Sequence, residues 1–402
     1  MKTLFDGISE AVERNRGEAL SFLQKLISAA SPSGEEAKAS RVIAQGMRAF
    51  GFDEVEVDNL NDTMGVIKGS GGGRDILFNG HLDHVPPGEM EDPYKGKVMD
   101  GRAFGVEGQV VYGRAASDMK GALAAMVMAG KTIKDLGIEL KGDFKIAAVA
   151  LEEMGGAGTL ATIEESNFTG DLVVIGEATE MEMALGHRGG ARANIVVEGR
   201  SCHASAPERG VNALYKATEI ISRIRSELIP RLPDHPLYSK TSIAITRISV
   251  KPDAPNVVPE ECTFHIDCRN NPDYPRQRLV KDLEALIIHM QEEDPELKTT
   301  VVPSKRPGSD RSFTGFYTDP EENPVVDEAK KAVAEVLGRD PRLRVWKFAT
   351  DGRFYAWRGI PVIGFGPGEE RFAHTNQDHV RIDDYIQAIK VYTWLACKIC
   401  GI

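Results

Sequence analysis

With 402 residues and 42% hydrophobic side chains, the chain has apolar material for about two domains and reads as ordered and globular. A formal net charge of -11 argues against nucleic acid and anionic membranes as principal partners, but leaves room for an anionic small substrate met by local arginines. No apolar run approaches the roughly 20 residues of a membrane helix, and five cysteines favour reduced thiols over a disulfide framework.

Residues 1–15 carry acids early and do not read as a signal or transit peptide, so the expected location is the cytoplasm. Residues 5–30 have helical periodicity, with Ile8, Val12, Leu20, Phe22, Leu23, Leu26 and Ile27 largely on one side. Ser31-Pro-Ser-Gly34 breaks it, and a second helix over 35–50 stops at Gly51. Strands follow near 54–58 and 64–68. The apolar run Ile76-Leu77-Phe78 then reads as a buried strand ending at Asn79-Gly80. A helix over 119–135, a strand over 144–151, a helix over 158–166 and a strand over 172–175 come next. This alternation indicates an α/β sheet covered by helices. Ligands of such sheets gather beyond the carboxyl ends of the strands, where His81, Asp83, Glu152, Glu153 and Glu177 fall.

The pattern changes after residue 185. A strand at 193–198, a helix at 211–229, strands at 241–250 and 261–268, a helix at 276–293 and a strand at 298–302 make a β-α-β-β-α-β order, which is ferredoxin-like. Residues 185–303 are therefore read as a domain inserted between 1–184 and 304–402, with the first domain resuming near Ser309. A helix at 325–337, a strand at 362–365 and a helix at 383–400 complete it. The expected fold class is α/β: a mixed sheet with helices on both faces, plus an inserted ferredoxin-like α+β domain. Cys397 and Cys400 form a C-x-x-C in the last helix and read as inert thiols.

The chemistry lies in a few short segments. His81-Leu-Asp-His84 follows the buried strand, and in an extended backbone His81 and Asp83 project together. That suits a metal-binding imidazole beside a carboxylate able to orient it. Asp118, in Gly113-Arg-Ala-Ala-Ser-Asp-Met-Lys-Gly121, sits where a loop becomes a helix. Glu152 and Glu153 close a strand side by side, Glu177 closes the next, and His374 lies in the loop Phe372-Ala-His-Thr-Asn-Gln-Asp378. Taken singly, each reads as a surface group, a cap or a structural histidine. Their joint order along the sheet's active edge carries the signal. Zinc accepts imidazole nitrogen and carboxylate oxygen and keeps a position open for water in catalytic sites. Two metals roughly 3.5–4 Å apart need a shared ligand, which one carboxylate supplies. His81, Asp118, Glu153, Glu177 and His374 supply two such spheres, and Glu152 is left over as a general base. Cobalt or manganese would also suit an oxygen-rich set.

These segments resemble the two-zinc aminoacylases and exopeptidases, among them acetylornithine deacetylase, succinyl-diaminopimelate desuccinylase and the glutamate carboxypeptidases. The resemblance covers nearly the whole chain. It rests on Gly80-His-Leu-Asp-His-Val-Pro-Pro-Gly88, Gly113-Arg-Ala-Ala-Ser-Asp-Met-Lys-Gly121, Glu152-Glu-Met-Gly-Gly156 and Ala373-His-Thr-Asn376. Gly186-His-Arg-Gly-Gly190 and Cys202-His-Ala-Ser-Ala-Pro-Glu-Arg-Gly210 are most similar to a subgroup of hydrolases linked to selenium or purine metabolism. The resemblance implies two zinc ions per subunit. His81 and Glu177 would hold one, Glu153 and His374 the other, and Asp118 would bridge them. Asp83 would support His81, and Glu152 would be the base. The inserted domain would be a lid and would mediate a homodimer. His203 would reach the partner's active site to stabilise an oxyanion, and Asn256, in Pro255-Asn-Val-Val-Pro259, would come from the same domain. The chain departs from the family pattern at His84, at Ala122 and at Gln377-Asp378. His84 reads as a surface residue or an extra polar group at the cleft.

Hydrolysis of an N-acyl amino acid leaves a carboxylate to be recognised, which suits the planar fork of arginine. The substrate-binding candidates are Arg188, Arg269, and Arg353 with Thr350 in Thr350-Asp-Gly-Arg-Phe354. Gly366, in Gly364-Phe-Gly-Pro-Gly368, would let backbone approach substrate closely. That loop lacks the lysine and helix start of a phosphate loop, so nucleotide binding is not expected. The expected activity is hydrolysis of an amide bond in an N-acyl amino acid or small peptide by an activated water, as in a deacylase or metallopeptidase. Its rivals are a carbamoyl or cyclic-amide hydrolase on the same site and a non-catalytic, metal-stabilised binding protein. The spare acid, Glu152, argues against the last.

Overall fold

Thr3 opens the first helix, its hydroxyl oxygen accepting from the Asp6 amide at 3.2 Å while Asp6 Oδ2 accepts from the Thr3 amide at 2.9 Å. The computed structural model describes residues 3–304, 311 and 313–402; the expected domain return near Ser309 lies outside them. In chain order, α1 (Leu4–Arg14), α2 (Arg16–Ser28) and α3 (Ala37–Ala49) precede β1 (Glu54–Val57), β2 (Thr63–Ile67) and β3 (Ile76–His81). Next come β4 (Lys97–Asp100), β5 (Gln109–Tyr112), α4 (Gly121–Asp135), β6 (Phe144–Val149), α5 (Ala157–Glu164), β7 (Leu172–Ile175) and β8 (Met183–His187). Then follow β9 (Gly189–Glu198), β10 (Cys202–His203), α6 (Ala213–Arg223), β11 (Ser242–Lys251), β12 (Val257–Val258), β13 (Glu261–Asn270), α7 (Arg276–Glu293) and β14 (Lys298–Pro303). The chain closes with β15 (Phe316–Tyr317), α8 (Pro324–Leu337), β16 (Leu343–Trp346), α9 (Gly352–Ala356), β17 (Val362–Gly364), β18 (His379–Arg381) and α10 (Ile382–Cys400).

The chain divides into two compact units, one of Met1–Gly186, Tyr317–Arg344 and Thr350–Ile402, the other of His187–Phe316 and Val345–Ala349. Within the first unit the main sheet runs β1-β2-β6-β3-β7-β17-β8. Strands β6, β3, β7 and β17 are parallel; β1, β2 and β8 run antiparallel to their neighbours. The sheet is therefore mixed. Its central strands are almost wholly buried because helices cover both faces, and all of the apolar run Leu172-Val-Val-Ile175 is buried. Helix α4 is apolar nearly all round and is buried accordingly, with α10 packed against it and against α8. The register sets His81 opposite Val149 and Asn79 opposite Ile175, so the carboxyl ends of β3, β6 and β7 lie side by side.

A separate three-stranded sheet, β18-β5-β4, was not legible as strands. It zips the segment after His374 to the segment before Asp118, with His379 opposite Tyr112. The second unit has an antiparallel sheet in the order β11-β13-β9-β14, with α6 and α7, which is the ferredoxin-like arrangement. Its core includes Ile195, Ile220, Phe264 and Leu283.

Some boundaries differ from the sequence reading. The helix expected over 5–30 is two helices, because Asn15 (φ -89, ψ 6) leaves helical geometry and its side chain bonds Asp135 at 2.9 Å. The helix expected over 211–229 loosens at Ile224 and ends in a single tight turn at Pro230. Strand β6 stops at Val149, not 151, because Leu151 turns to φ 59. Cys397 and Cys400 are buried, and burial pushes both thiols up to about 12. Among the described residues, no helix is long and apolar enough to cross a membrane.

Candidate metal centre and active site

Three neighbouring strand ends deliver most of the site. β3 ends on His81, β6 leads to Glu152 and Glu153, and β7 leads to Glu177. Asp118 comes from the wide turn before α4, where its backbone is extended at φ -133, ψ 88. His374 comes from the loop before β18, at φ 61. His81 Nε2 lies 3.0 Å from Asp118 Oδ1 and 3.6 Å from Glu177 Oε1. His374 Nε2 lies 3.1 Å from Asp118 Oδ2 and 2.7 Å from Glu153 Oε1. Asp118 thus presents one oxygen to each imidazole. Donor atoms of His81, Asp118 and Glu153 fall within 4.8 Å of one another, as do those of His81, Glu152 and Glu177.

The electrostatics of this cluster call for positive charge. Burial disfavours protonation of His81, but Asp118, Glu177 and Asp83 outweigh it and hold the ring well above its ordinary range. Hydrogen bonds to Asp118 and Glu153 push His374 up to about 10. Burial, reinforced by the charge of Asp351 on Glu152 and of Asp118 on Glu177, raises both glutamates well above the carboxylate range. Burial opposes ionisation of Asp118 too, yet its bonds to His374 and His81 keep it below that range. Three carboxylates and two imidazoles around Asp118 are a donor set that fits divalent cations, zinc first, with manganese or cobalt admitted by the oxygen content.

A second layer holds these groups. His81 Nδ1 lies 2.9 Å from the Asp83 backbone carbonyl, closer than the Asp83 carboxylate at 3.6 Å. That carboxylate instead accepts from the amides of Glu152 at 3.1 Å and Glu153 at 3.2 Å and from the Ser33 hydroxyl at 2.7 Å. Asp378 accepts from the amides of Ala115 at 2.7 Å and Ser117 at 2.8 Å, on the turn that carries Asp118. Its partner Arg114, at 3.1 Å, donates to the carbonyls of Thr375 at 3.0 Å and Pro87 at 3.1 Å. One buried ion pair therefore ties the loops of Asp118 and His374 to the segment after His81. Sequence reading missed Arg114 and saw Asp378 only as a departure from a pattern. His84 is buried, not at the surface: its Nε2 accepts from the Ser31 amide at 3.0 Å and its Nδ1 faces the Val85 carbonyl at 2.8 Å.

The remaining candidates are spread over both units. In the first, Arg353 donates to the Gly155 carbonyl at 3.2 Å and lies 3.9 Å from Asp351. Thr350 is buried and its hydroxyl accepts from the Gly352 amide at 3.3 Å. Gly366 exchanges hydrogen bonds with the Thr179 hydroxyl, and a Cβ on it would stand 2.4 Å from the carbonyls of Gly176 and Glu177. Its small size lets it press against the loop that carries Glu177. In the second unit, Arg188 Nη2 donates to the Arg269 carbonyl at 2.6 Å and the Lys240 carbonyl at 2.8 Å, and Arg269 pairs with Asp267 at 2.8 Å. His203 and Asn256 are exposed and adjoin, with the Ala204 amide bonded to the Asn256 carbonyl at 3.0 Å. The Ser205 amide donates to His203 Nδ1 at 3.2 Å, which leaves Nε2 as the ring's N–H donor.

A mixed α/β sheet with an imidazole and carboxylate cluster at its carboxyl edge, plus a separate antiparallel domain, defines the architecture of a metallohydrolase. The model of peptidase family M20/M25/M40 matches residues 77–398, and the chain belongs to that family, whose members are hydrolases acting on carbon–nitrogen bonds. The chain is 29% identical to YgeY, an uncharacterized protein of Escherichia coli (strain K12), over 98% of each chain. It is 26% identical to a succinyl-diaminopimelate desuccinylase of Gluconacetobacter diazotrophicus, over 95% of this chain and 97% of that one. The fold is similar to that of Bacillus subtilis YXEP, described as a dinuclear metal-binding peptidase, with a TM-score of 0.72 at 16% identity, over 96% of this chain and 99% of that one.

Proposed function

We propose that this chain is a two-zinc hydrolase that cleaves the amide bond of an N-acyl amino acid or small peptide. The observation that carries the reading is Asp118, with one oxygen toward His81 Nε2 and the other toward His374 Nε2. His81 and Glu177 would hold one ion, Glu153 and His374 the other, with Asp118 shared. The bound ions would supply Lewis acidity and acidify water. Glu152 takes a proton from the attacking water and returns it to the amine nitrogen as the carbon–nitrogen bond breaks.

In this reading, 1–184 and 304–402 are the catalytic domain, and 185–303 serve as lid and dimer interface. His203 donates from Nε2 to the developing oxyanion of the partner's substrate. The desuccinylase relative supports an N-acyl amino acid as substrate class. The test is a screen of the zinc-loaded protein against N-acetyl, N-succinyl and N-carbamoyl amino acids and dipeptides, reading release of free amine. Turnover of an acyl amino acid or dipeptide is expected. Turnover of the carbamoyl compounds alone, or of none, contradicts the reading.

A further inference from the structure

The end of β6 is anchored by three carboxylates, two of which, Glu36 and Asp62, the chemistry above leaves unused. Four successive backbone amides each donate to a carboxylate from a distant part of the chain. Ala150 donates to Asp62 Oδ1 at 2.6 Å and Leu151 to Glu36 Oε1 at 3.3 Å. Glu152 and Glu153 donate to the two oxygens of Asp83, at 3.1 and 3.2 Å. Glu36 and Asp62 are almost fully buried, at 2% and 0% exposure. Burying a carboxylate is costly unless its oxygens meet donors. Here amides of one short turn donate to Asp62 Oδ1 and Glu36 Oε1, with Glu36 Oε1 also taking the Gly34 amide at 2.8 Å, while Asp62 Oδ2 is buried without a hydrogen-bond partner.

That turn needs holding. Leu151 stands at φ 59, a left-handed conformation that a side-chain-bearing residue enters only at a cost. Gly155 and Gly156 follow at φ 119 and 84. An ordinary extended continuation of β6 would send Glu152 and Glu153 to opposite faces of the sheet. The left-handed step breaks that alternation.

We propose that Glu36 and Asp62 are positioning residues for the reaction. With Asp83 they form a cradle that holds residues 150–153 in the backbone path sending both glutamates into the cluster around Asp118. The proposal rests on the reading of Glu152 as base and Glu153 as metal ligand.

Hydrogen exchange on the whole zinc-loaded chain reads the cradle without any substrate. In Glu36→Ala, the peptide spanning 150–153 should exchange about tenfold faster while α4 and α10 keep their protection. Zn²⁺ affinity, measured by competition with a chromophoric chelator, should fall roughly tenfold to a hundredfold, as for other groups that orient ligands. Glu36→Gln keeps an accepting oxygen and should restore both. Unchanged exchange in Glu36→Ala, a Gln variant as impaired as the Ala variant, or loss of protection spread evenly over the core would each overturn the proposal. If Glu36→Ala does not fold, Asp62→Ala against Asp62→Asn makes the same comparison. Glu153→Ala separates the cradle from the reading beneath it. If that variant still binds two zinc ions at full affinity, the ligand assignment fails. If it loses one while Glu36→Ala exchanges normally, the cradle alone fails.

Discussion

The edge of the main sheet and the polar residues of the second unit use similar side chains to opposite effect. At the sheet edge, charged groups face one another: both oxygens of Asp118 are turned to imidazoles, and Glu153 and Glu177 crowd the same rings. In the second unit the arginines have partners of their own. Arg188 is occupied by backbone carbonyls and the Ser242 hydroxyl, and Arg269 by Asp267. Only His203 and Asn256 stand exposed there among the residues singled out. Residue type alone does not mark chemistry. A surplus of like charge held together against its own repulsion does, because such an arrangement costs stability unless a ligand relieves it.

The contrast can be broken in several ways. The largest effect is expected at Glu152. Glu152→Gln should lose about a thousandfold in turnover, in the range of general acid–base catalysis, while retaining both zinc ions by elemental analysis. A fully active variant would remove Glu152 from the role of base. His203→Ala should lower kcat by about a hundredfold, as loss of an oxyanion donor does, without changing metal content. Metal loss there would show that the histidine is misplaced in this account. Arg114→Met strands the buried Asp378 and should cost about 3–5 kcal/mol in denaturant unfolding. A loss below about 1 kcal/mol would show that the pair does not hold the loops together. The smallest effect is at His84, which burial holds down to about 4 against the pull of the Val85 carbonyl. A histidine lowered in this way contributes stability that is complete above its unfolded pKa of about 6.5 and is lost as pH falls through 4. His84→Gln should therefore flatten that part of the stability–pH curve, while an identical slope would contradict the assignment.

Much of the fold could be read directly because long periodic segments have one physical solution. The fully apolar run of β7 has to be a covered strand, and α4, apolar on every side, has to be buried. The six chemical groups of the cluster were legible because chain order placed most of them at strand ends. The short strands β4, β5 and β18 were not, since three or four residues show too little alternation to separate strand from loop. Yet their pairing is what brings the segment after His374 to the segment before Asp118. Glu36, Asp62 and Arg114 were missed for a different reason. Their roles are hydrogen bonds to backbone far away in sequence, and no local spacing encodes such a partner. The left-handed turn at Leu151 was hidden for the same reason: carboxylates more than sixty residues away hold a residue that has no local preference for it.

The central claim is that Asp118 is shared between two metal ions, and it is tested most directly by crystals of the zinc-loaded protein measured at the zinc absorption edge. The anomalous map should show two peaks, one on each side of the Asp118 carboxylate, the first against His81 and Glu177 and the second against His374 and Glu153. A single peak, or two peaks that do not share Asp118, would contradict it.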